Sequence, residues 1–195
     1  MARLAEKVVY RFEELEEDAK EKAREWYRNG TTDYEWYDTV FDEAKEIGRL
    51  MGIEISNIFF SGFYSQGDGA CFEGSYAYAK GSVKKIKEYA PKDEKLHRIA
   101  LALQKEQRKE FYEIEAKVKH RGHYQHEGCT EISVWNGYSD VQAKTEEAIK
   151  EALRDYMCWI YRTLEREYEW LNSDEQVDEA IIVNEYEFEE DGRIA

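Results

Sequence analysis

The stretch from Ile58 to Tyr78, IFFSGFYSQGDGACFEGSYAY, constrains the fold of this chain more than any other segment. Two runs of aromatic and small residues flank the polar sequence SQGDG at residues 65–69. Asp-Gly between such runs is a strong signal for a β-hairpin, because glycine adopts a positive φ without steric cost. The stretch therefore predicts two paired strands that are joined by a polar loop.

Helical and strand patterns alternate along the rest of the chain. Helices are predicted over 13–28, 32–51, 82–90, from 93 onward, over 140–171 and from 173, and Thr32, Asp93, Ser139 and Ser173 are the predicted N-terminal caps of four of them. Strand patterns cover 8–12, 53–64, 70–80, 111–121, 129–138 and 181–188. The predicted fold class is α+β, with an antiparallel sheet of two hairpins plus a C-terminal strand, packed against several helices including a long one near 140–171.

The sequence also predicts how these elements are grouped. A single domain is expected over residues 1–195, with an acidic C-terminal segment at 172–195. A helix followed by a hairpin occurs at 31–80 and again at 93–138, so two similar halves are an alternative. The strand over 53–64 is expected to be central, because its closing phenylalanines leave no polar face.

The net charge of −15 is unevenly distributed. Residues 172–195 contain nine acids and one base, a net charge of −8, whereas residues 80–123 contain 13 bases and seven acids. A strongly acidic protein repels nucleic-acid phosphates, so the predicted partner is a protein with a basic surface, without direct nucleic-acid binding. The alternative is that the acidic and basic regions screen each other. The predicted partner-binding carboxylates are Asp174, Glu175, Asp178, Glu179, Glu187, Glu189, Glu190 and Asp191.

Trp36 completes this predicted partner-binding set. It lies in the aromatic and acidic sequence DYEWYD at 33–38 and falls outside the inward-facing stripe of its helix. Aromatic residues that are flanked by acids suit contact with a basic protein surface. The alternative is that all of these rings pack into the core.

Composition predicts the cellular setting. No apolar run approaches the roughly 20 residues of a membrane span, and the N-terminus lacks the apolar stretch of a secretion signal. Cys71, Cys129 and Cys158 have no paired spacing, which indicates reduced thiols. We therefore expect a cytoplasmic protein without a membrane partner, and the sequence leaves its oligomeric state open.

Two polar segments are candidate sites. His120, His123, His126 and Cys129 repeat every three residues, and both imidazole and thiolate bind zinc. Regular strand alternation sends His120 and Cys129 to different faces of the sheet, so we predict no metal site and a hydrogen-bonded turn with exposed histidines. A zinc site in a rearranged loop is the alternative.

The hairpin loop at 65–69 lacks the spacing of a P-loop, and the charge of Asp68 opposes a phosphate. It is predicted either as a simple turn or as part of a recognition surface. The predicted recognition residues are Ser65, Gln66, Asp68, His123 and His126. No constellation of nucleophile and base emerges, so we predict no catalytic residues and no cofactor.

The segments FSGFYSQGDGACFEGSYAYAKG, RGHYQHEGCT and NEYEFEEDG, with the opening YRFEELEEDAKEKAREWYRNG, resemble a family of uncharacterised phage and prophage proteins. The resemblance covers nearly the whole chain. It implies a phage or prophage gene, and small acidic phage proteins are often inhibitors of host systems, anti-CRISPR proteins among them.

The leading hypothesis is a non-enzymatic phage protein that binds and inhibits a host defence component by covering its basic, nucleic-acid-binding surface. One alternative is a small metal- or nucleotide-using enzyme with a site between the His123/His126 loop and the Gln66/Asp68 loop. A third hypothesis is an antitoxin-like regulatory module.

Overall fold

The computed structural model describes residues 7–30, 35–137 and 141–195. The chain divides into two compact units. Met1–Trp36 and Arg166–Ala195 form the first, which we call the acidic unit, and Tyr37–Glu165 form the second, which we call the sheet unit.

The fold class is α+β, as the sequence predicts. The helices are α1 (Glu17–Gly30), α2 (Asp38–Met51), α3 (Ser82–Tyr89), α4 (Glu94–Lys109), α5 (Ala143–Leu171) and α6 (Asp174–Val183), with short 3-10 helices at Phe12–Glu14 and Glu127–Cys129. The strands are β1 (Tyr10–Arg11), β2 (Ile53–Phe60), β3 (Ala70–Ala77), β4 (Ile114–His120), β5 (Thr130–Asn136) and β6 (Glu187–Phe188). Among the described residues, no helix is both long enough and apolar enough to cross a membrane.

The sheet unit is built on an antiparallel sheet in the order β2-β3-β4-β5. Both predicted hairpins are present, and β3 pairs with β4 to join them into one sheet. The apolar residues of β4 alternate with exposed charged residues, so one face of this strand is buried and the other meets water. The buried face of the sheet also includes Phe72 of β3, whose ring centroid lies 6.2 Å from that of Tyr156 in α5.

One expectation about this sheet is wrong. The strand over 53–64 was expected to be central, but β2 ends at Phe60 and lies at the edge of the sheet. Its register shifts between Ile55 and Asn57, a bulge that is typical of edge strands. The aromatic residues at its end pack against side chains from other elements, since Phe60 contacts Phe41 and Phe59 stacks on His120.

The acidic unit is small and has its own core. β1 pairs with β6 in a separate two-stranded sheet, so the C-terminal strand does not extend the main sheet. That strand is also shorter than predicted, because α6 continues to Val183. The buried residues of this core are Phe12, Leu15, Ala19, Ala23, Val177, Ile181 and Phe188.

Local capping signals locate two helix starts. The carboxylate of Asp93 accepts the N–H of Leu96 at 3.0 Å, and the hydroxyl of Ser173 accepts the N–H of Gln176 at 3.4 Å. Both caps are confirmed, because a cap depends only on neighbours within one helical turn. The caps predicted at Thr32 and Ser139 lie outside the described residues.

Candidate functional site

Most of the negative charge of the protein lies in the acidic unit. Its residues include 21 Asp and Glu and nine Lys and Arg, a net charge of −12 out of −15 for the whole chain. The sheet unit has 22 acids and 19 bases, a net charge of −3. The fold places Met1–Trp36, which include more acids than bases, in the same unit as the C-terminal segment. The net charge of the unit is therefore more negative than the −8 of residues 172–195 alone.

Arg24 neutralises part of this charge. Its Nε and Nη2 donate to the two carboxylate oxygens of Asp178 at 2.7 and 2.9 Å, and Nη1 contacts Glu17 at 2.9 Å and Glu21 at 3.2 Å. The hydrogen bond to Asp178 raises the pKa of Arg24. Because the Arg24 side chain is only 10% exposed, this bidentate pair joins α1 to α6 with both charges partly shielded from water.

Other internal ion pairs involve three more of the predicted partner-binding carboxylates. Arg28 donates to Asp174 and, at 3.1 Å, to the backbone oxygen of Asn172. Glu189 pairs with Lys7 at 2.8 Å, and Asp191 pairs with Arg193 at 2.9 Å. Asp174, Asp178, Glu189 and Asp191 are thus partly neutralised by the protein's own cations.

The other four predicted carboxylates are exposed. Within the described ranges, Glu175, Glu179, Glu187 and Glu190 form no ion pair with a lysine or arginine. Trp36 is half-buried, with its ring 5.7 Å from that of Tyr168, so only part of its surface is open to a partner. These four glutamates are therefore exposed charges of the acidic unit that no ion pair within the described residues neutralises.

The sheet unit brings the two predicted recognition loops together. A Cβ at Gly67 would lie 2.9 Å from Cδ1 of Tyr124, and a Cβ at Gly69 would overlap His126. Glycine is therefore required for the close approach of the loops. A pocket of about 430 Å³ lies between them and is lined by Gln66, Gly67, Tyr124 and His126.

Asp68 stabilises the first of these loops from within. Its Oδ2 accepts the backbone N–H groups of Tyr64 at 3.0 Å and Ser65 at 2.7 Å, so the carboxylate caps its own turn. This arrangement leaves the Tyr64 side chain 81% exposed and places Gln66 at the pocket.

The histidines of the second loop point to separate partners. His120 stacks on Phe59 and places its Nε2 2.9 Å from the backbone oxygen of Tyr124, and His123 packs beside the Tyr124 ring at 5.6 Å. Among the described residues, no three His, Cys, Asp or Glu side chains are grouped so that they would hold a metal ion.

His126 and Cys129 form a contact in this loop that resembles the thiol and imidazole of a cysteine nucleophile and its base. The Sγ of Cys129 lies 3.4 Å from Nε2 of His126, while Nδ1 accepts the N–H of Gly128 at 3.1 Å. Because Nδ1 is an acceptor, the proton of the neutral ring lies on Nε2 and points to the sulfur. In this tautomer His126 has no free lone pair with which to take the thiol proton from Cys129.

The turn after α4 is a feature that the sequence did not reveal. Phe111 and Tyr112 have positive φ values of 53° and 67°, and the Phe111 side chain is 85% exposed. The buried Gln107 holds this turn, since its amide donates to the backbone oxygen of Ile114 at 2.7 Å and accepts the N–H of Ile114 at 3.2 Å. The sequence pattern placed Phe111 in a strand, but β4 begins only at Ile114.

Comparison with known proteins places this chain in one family. No curated protein matches the chain, and no solved structure matches it either. One family model matches residues 36–174, which is more than half of the chain. The protein therefore belongs to the family that is described as a domain of unknown function (DUF8835).

Proposed function

We propose that this chain is a non-enzymatic, phage-type protein that binds and inhibits a host protein with a basic surface in the host cytoplasm. The partner is a defence-system component whose nucleic-acid-binding surface the acidic unit covers. The phage origin comes from the resemblance of the sequence, and the mode of binding comes from its charge distribution.

The observation that carries this proposal is the net charge of −12 on the acidic unit. A dense negative field steers a basic partner into contact and raises the association rate. The four unpaired glutamates are suited to contact, because forming an ion pair with a partner would break no ion pair described within this chain.

The paired carboxylates have a different role in this proposal. Asp174 and Asp178 join α6 to α1 through Arg28 and Arg24. They hold the unpaired glutamates of α6 in place, and their own charges contribute only to the long-range field. This division narrows the prediction that all eight carboxylates bind the partner to a proposal in which four of them form the direct contacts.

The test compares three baits in pull-downs from host lysate. The first is the wild type, the second carries E175Q, E179Q, E187Q and E190Q, and the third carries E43Q, E46Q, E54Q and E151Q. The third variant has the same total charge as the second but loses exposed acids of the sheet unit. Proteins captured by each bait are then quantified by mass spectrometry.

The proposal predicts that the wild type and the sheet-unit variant capture the same basic host protein and release nucleic acid from it. The acidic-unit variant should lose most of this capture. Equal capture by all three baits, or no specific host protein with the wild type, would overturn the proposal.

A second candidate function is the small metal- or nucleotide-using enzyme. The observation that favours it is the convergence of the two loops on one pocket of about 430 Å³. Alanine at His123 and His126 separates the two functions. Loss of biological activity with retained folding and retained capture of the partner would favour the enzyme, whereas full activity would argue against it.

A further inference from the structure

We propose that a pocket on the acidic unit binds an arginine or lysine side chain of the basic partner. This inference rests on the proposed function and specifies one of its contacts. The pocket has a volume of about 190 Å³ and lies between the first 3-10 helix and the end of α6. Its lining residues are Arg11, Phe12, Glu13, Ile181, Ile182, Glu185 and Tyr186.

The pocket combines apolar walls with carboxylates. Phe12 and Ile181 are buried in the core of the acidic unit, and Ile182 is 40% exposed. Glu13 and Glu185 are exposed, and in the described part of the chain neither forms an ion pair. Arginine and lysine match this combination, because each has an apolar stem that packs on hydrophobic surface and a cationic end.

Glu185 occupies a backbone position that disfavours glutamate. It follows the helix cap Asn184 with φ of 53°. Its N–H donates to Ile182 O at 3.0 Å, and the N–H of Tyr186 donates to Ile181 O at 3.3 Å, so α6 ends in a Schellman motif. Glycine is the usual residue at this left-handed position, since a Cβ is strained there. The chain thus keeps a carboxylate at the pocket at the expense of local stability.

Charge complementarity selects the occupant. The pocket is lined by two carboxylates and one cation, Arg11, and these residues belong to a unit with a net charge of −12. An acidic side chain would be repelled by this field, and a neutral apolar side chain would leave the carboxylates unused. A cationic side chain from the partner satisfies both the walls and the charges.

The test uses small probes and three variants of the full chain. N-acetyl-arginine amide is titrated against the wild type while the methyl signals of Ile181 and Ile182 are followed by NMR. N-acetyl-norleucine amide is the neutral probe of similar length. The variants are E185Q, which removes the charge, E185G, which also relieves the backbone, and R11Q, which removes the opposing cation.

The arginine probe should give saturable shifts and bind more tightly than the norleucine probe. E185Q should weaken arginine binding roughly two- to five-fold, as expected for one solvent-exposed ion pair, and R11Q should tighten it. E185G should weaken binding while its urea midpoint stays equal to or above that of the wild type. The opposite signs of E185Q and R11Q exclude a general loss of folding as the cause.

Several results would overturn the pocket assignment. These are equal binding of both probes, no saturable shift at Ile181 and Ile182, or changes of the same sign in E185Q and R11Q. If the probe does not bind but capture of the host protein still depends on Glu175 and Glu179, the pocket is wrong and the proposed function stands. If the probe binds but no host protein is captured, the proposed function is wrong.

Discussion

The two units of this protein reach a stable fold by different physical means. The sheet unit buries a broad apolar core beneath four paired strands and is nearly balanced in charge, with 22 acids and 19 bases. Among the residues that the structure describes, the core of the acidic unit has seven buried residues, and the unit has a net charge of −12. Self-repulsion of this size destabilises a compact state, and the ion pairs between α1 and α6 offset part of it.

This difference shows which charges are available for function. In the acidic unit, Asp174 and Asp178 serve folding through Arg28 and Arg24, while Glu175 and Glu179 on the same helix remain free of ion pairs within the described residues. In the sheet unit, a buried uncharged side chain, Gln107, also holds two parts of the chain together.

The largest effect is expected in the sheet unit, from Gln107→Leu. The substitution leaves the backbone N–H and oxygen of the buried Ile114 without their Gln107 partners. The free energy of unfolding should fall by about 2–4 kcal/mol, measured by urea denaturation. Gln104→Leu, on the same helix, is the matched control and should change stability much less. Equal effects of the two substitutions would show that Gln107 does not hold the turn.

A smaller loss is expected in the acidic unit from Arg24→Ala. The substitution removes a bidentate partner of Asp178 and leaves that carboxylate uncompensated beside α1. Unfolding of this unit should become easier by about 2 kcal/mol. Hydrogen exchange measures this effect, with faster exchange in α1 and α6 and unchanged exchange in β3 and β4. Lys22→Ala, at an exposed position of α1, is the control. Uniformly faster exchange in both units would contradict a separate role for Arg24.

A gain in stability is expected from Phe111→Gly in the sheet unit. Phe111 is 85% exposed and has φ of 53°, so its ring contributes little burial while its backbone is strained. Glycine adopts this conformation without strain, and unfolding should become harder by up to about 1 kcal/mol in thermal or urea melts. A loss of 1 kcal/mol or more would show that the exposed ring makes a stabilising contact.

The smallest effect is expected on acidification of the acidic unit. The hydrogen bond with Lys7 lowers the pKa of Glu189, and the backbone N–H of Arg193 lowers the pKa of Asp191. Groups with a lowered folded pKa contribute stability above their ordinary values, about 4.3 for Glu and 3.9 for Asp, and lose it as pH falls through the folded pKa. The protection of β6 amides, corrected for the intrinsic pH dependence of amide exchange, should therefore fall below about pH 4.3, and a K7Q/R193Q variant should show a flatter dependence.

The sequence predicts the local parts of this structure well. The Asp93 and Ser173 caps, the hairpin at residues 65–69 and the alternation of β4 each depend on neighbours close in the chain. Edge placement of β2 was not predictable in the same way. The sequence of its phenylalanines suggests burial on both sides, whereas the structure places β2 at the sheet edge with Phe60 packed on Phe41 and Phe63.

The candidate sites were predicted only in part. The convergence of the Gln66 and His126 loops was anticipated, because adjacent hairpins place their loops at one end of a sheet. The pairing of Arg24 with Asp178 joins residues 154 positions apart, which no local pattern reveals. Likewise, the strained positions of Phe111 and Glu185 carry no glycine or asparagine to mark them. At both positions a helix ends without the usual glycine, and this absence after a predicted helix is the clue that the sequence offers.

The most direct test of the central claim is the salt dependence of binding to the captured host protein. Dissociation constants are measured for the wild type and the E175Q/E179Q/E187Q/E190Q variant at about 50 and 300 mM salt, a range over which screening changes strongly. The account predicts that salt weakens wild-type binding markedly and weakens the variant much less, so that their affinities converge at high salt. Wild-type affinity that is unchanged between the two salt concentrations would contradict it.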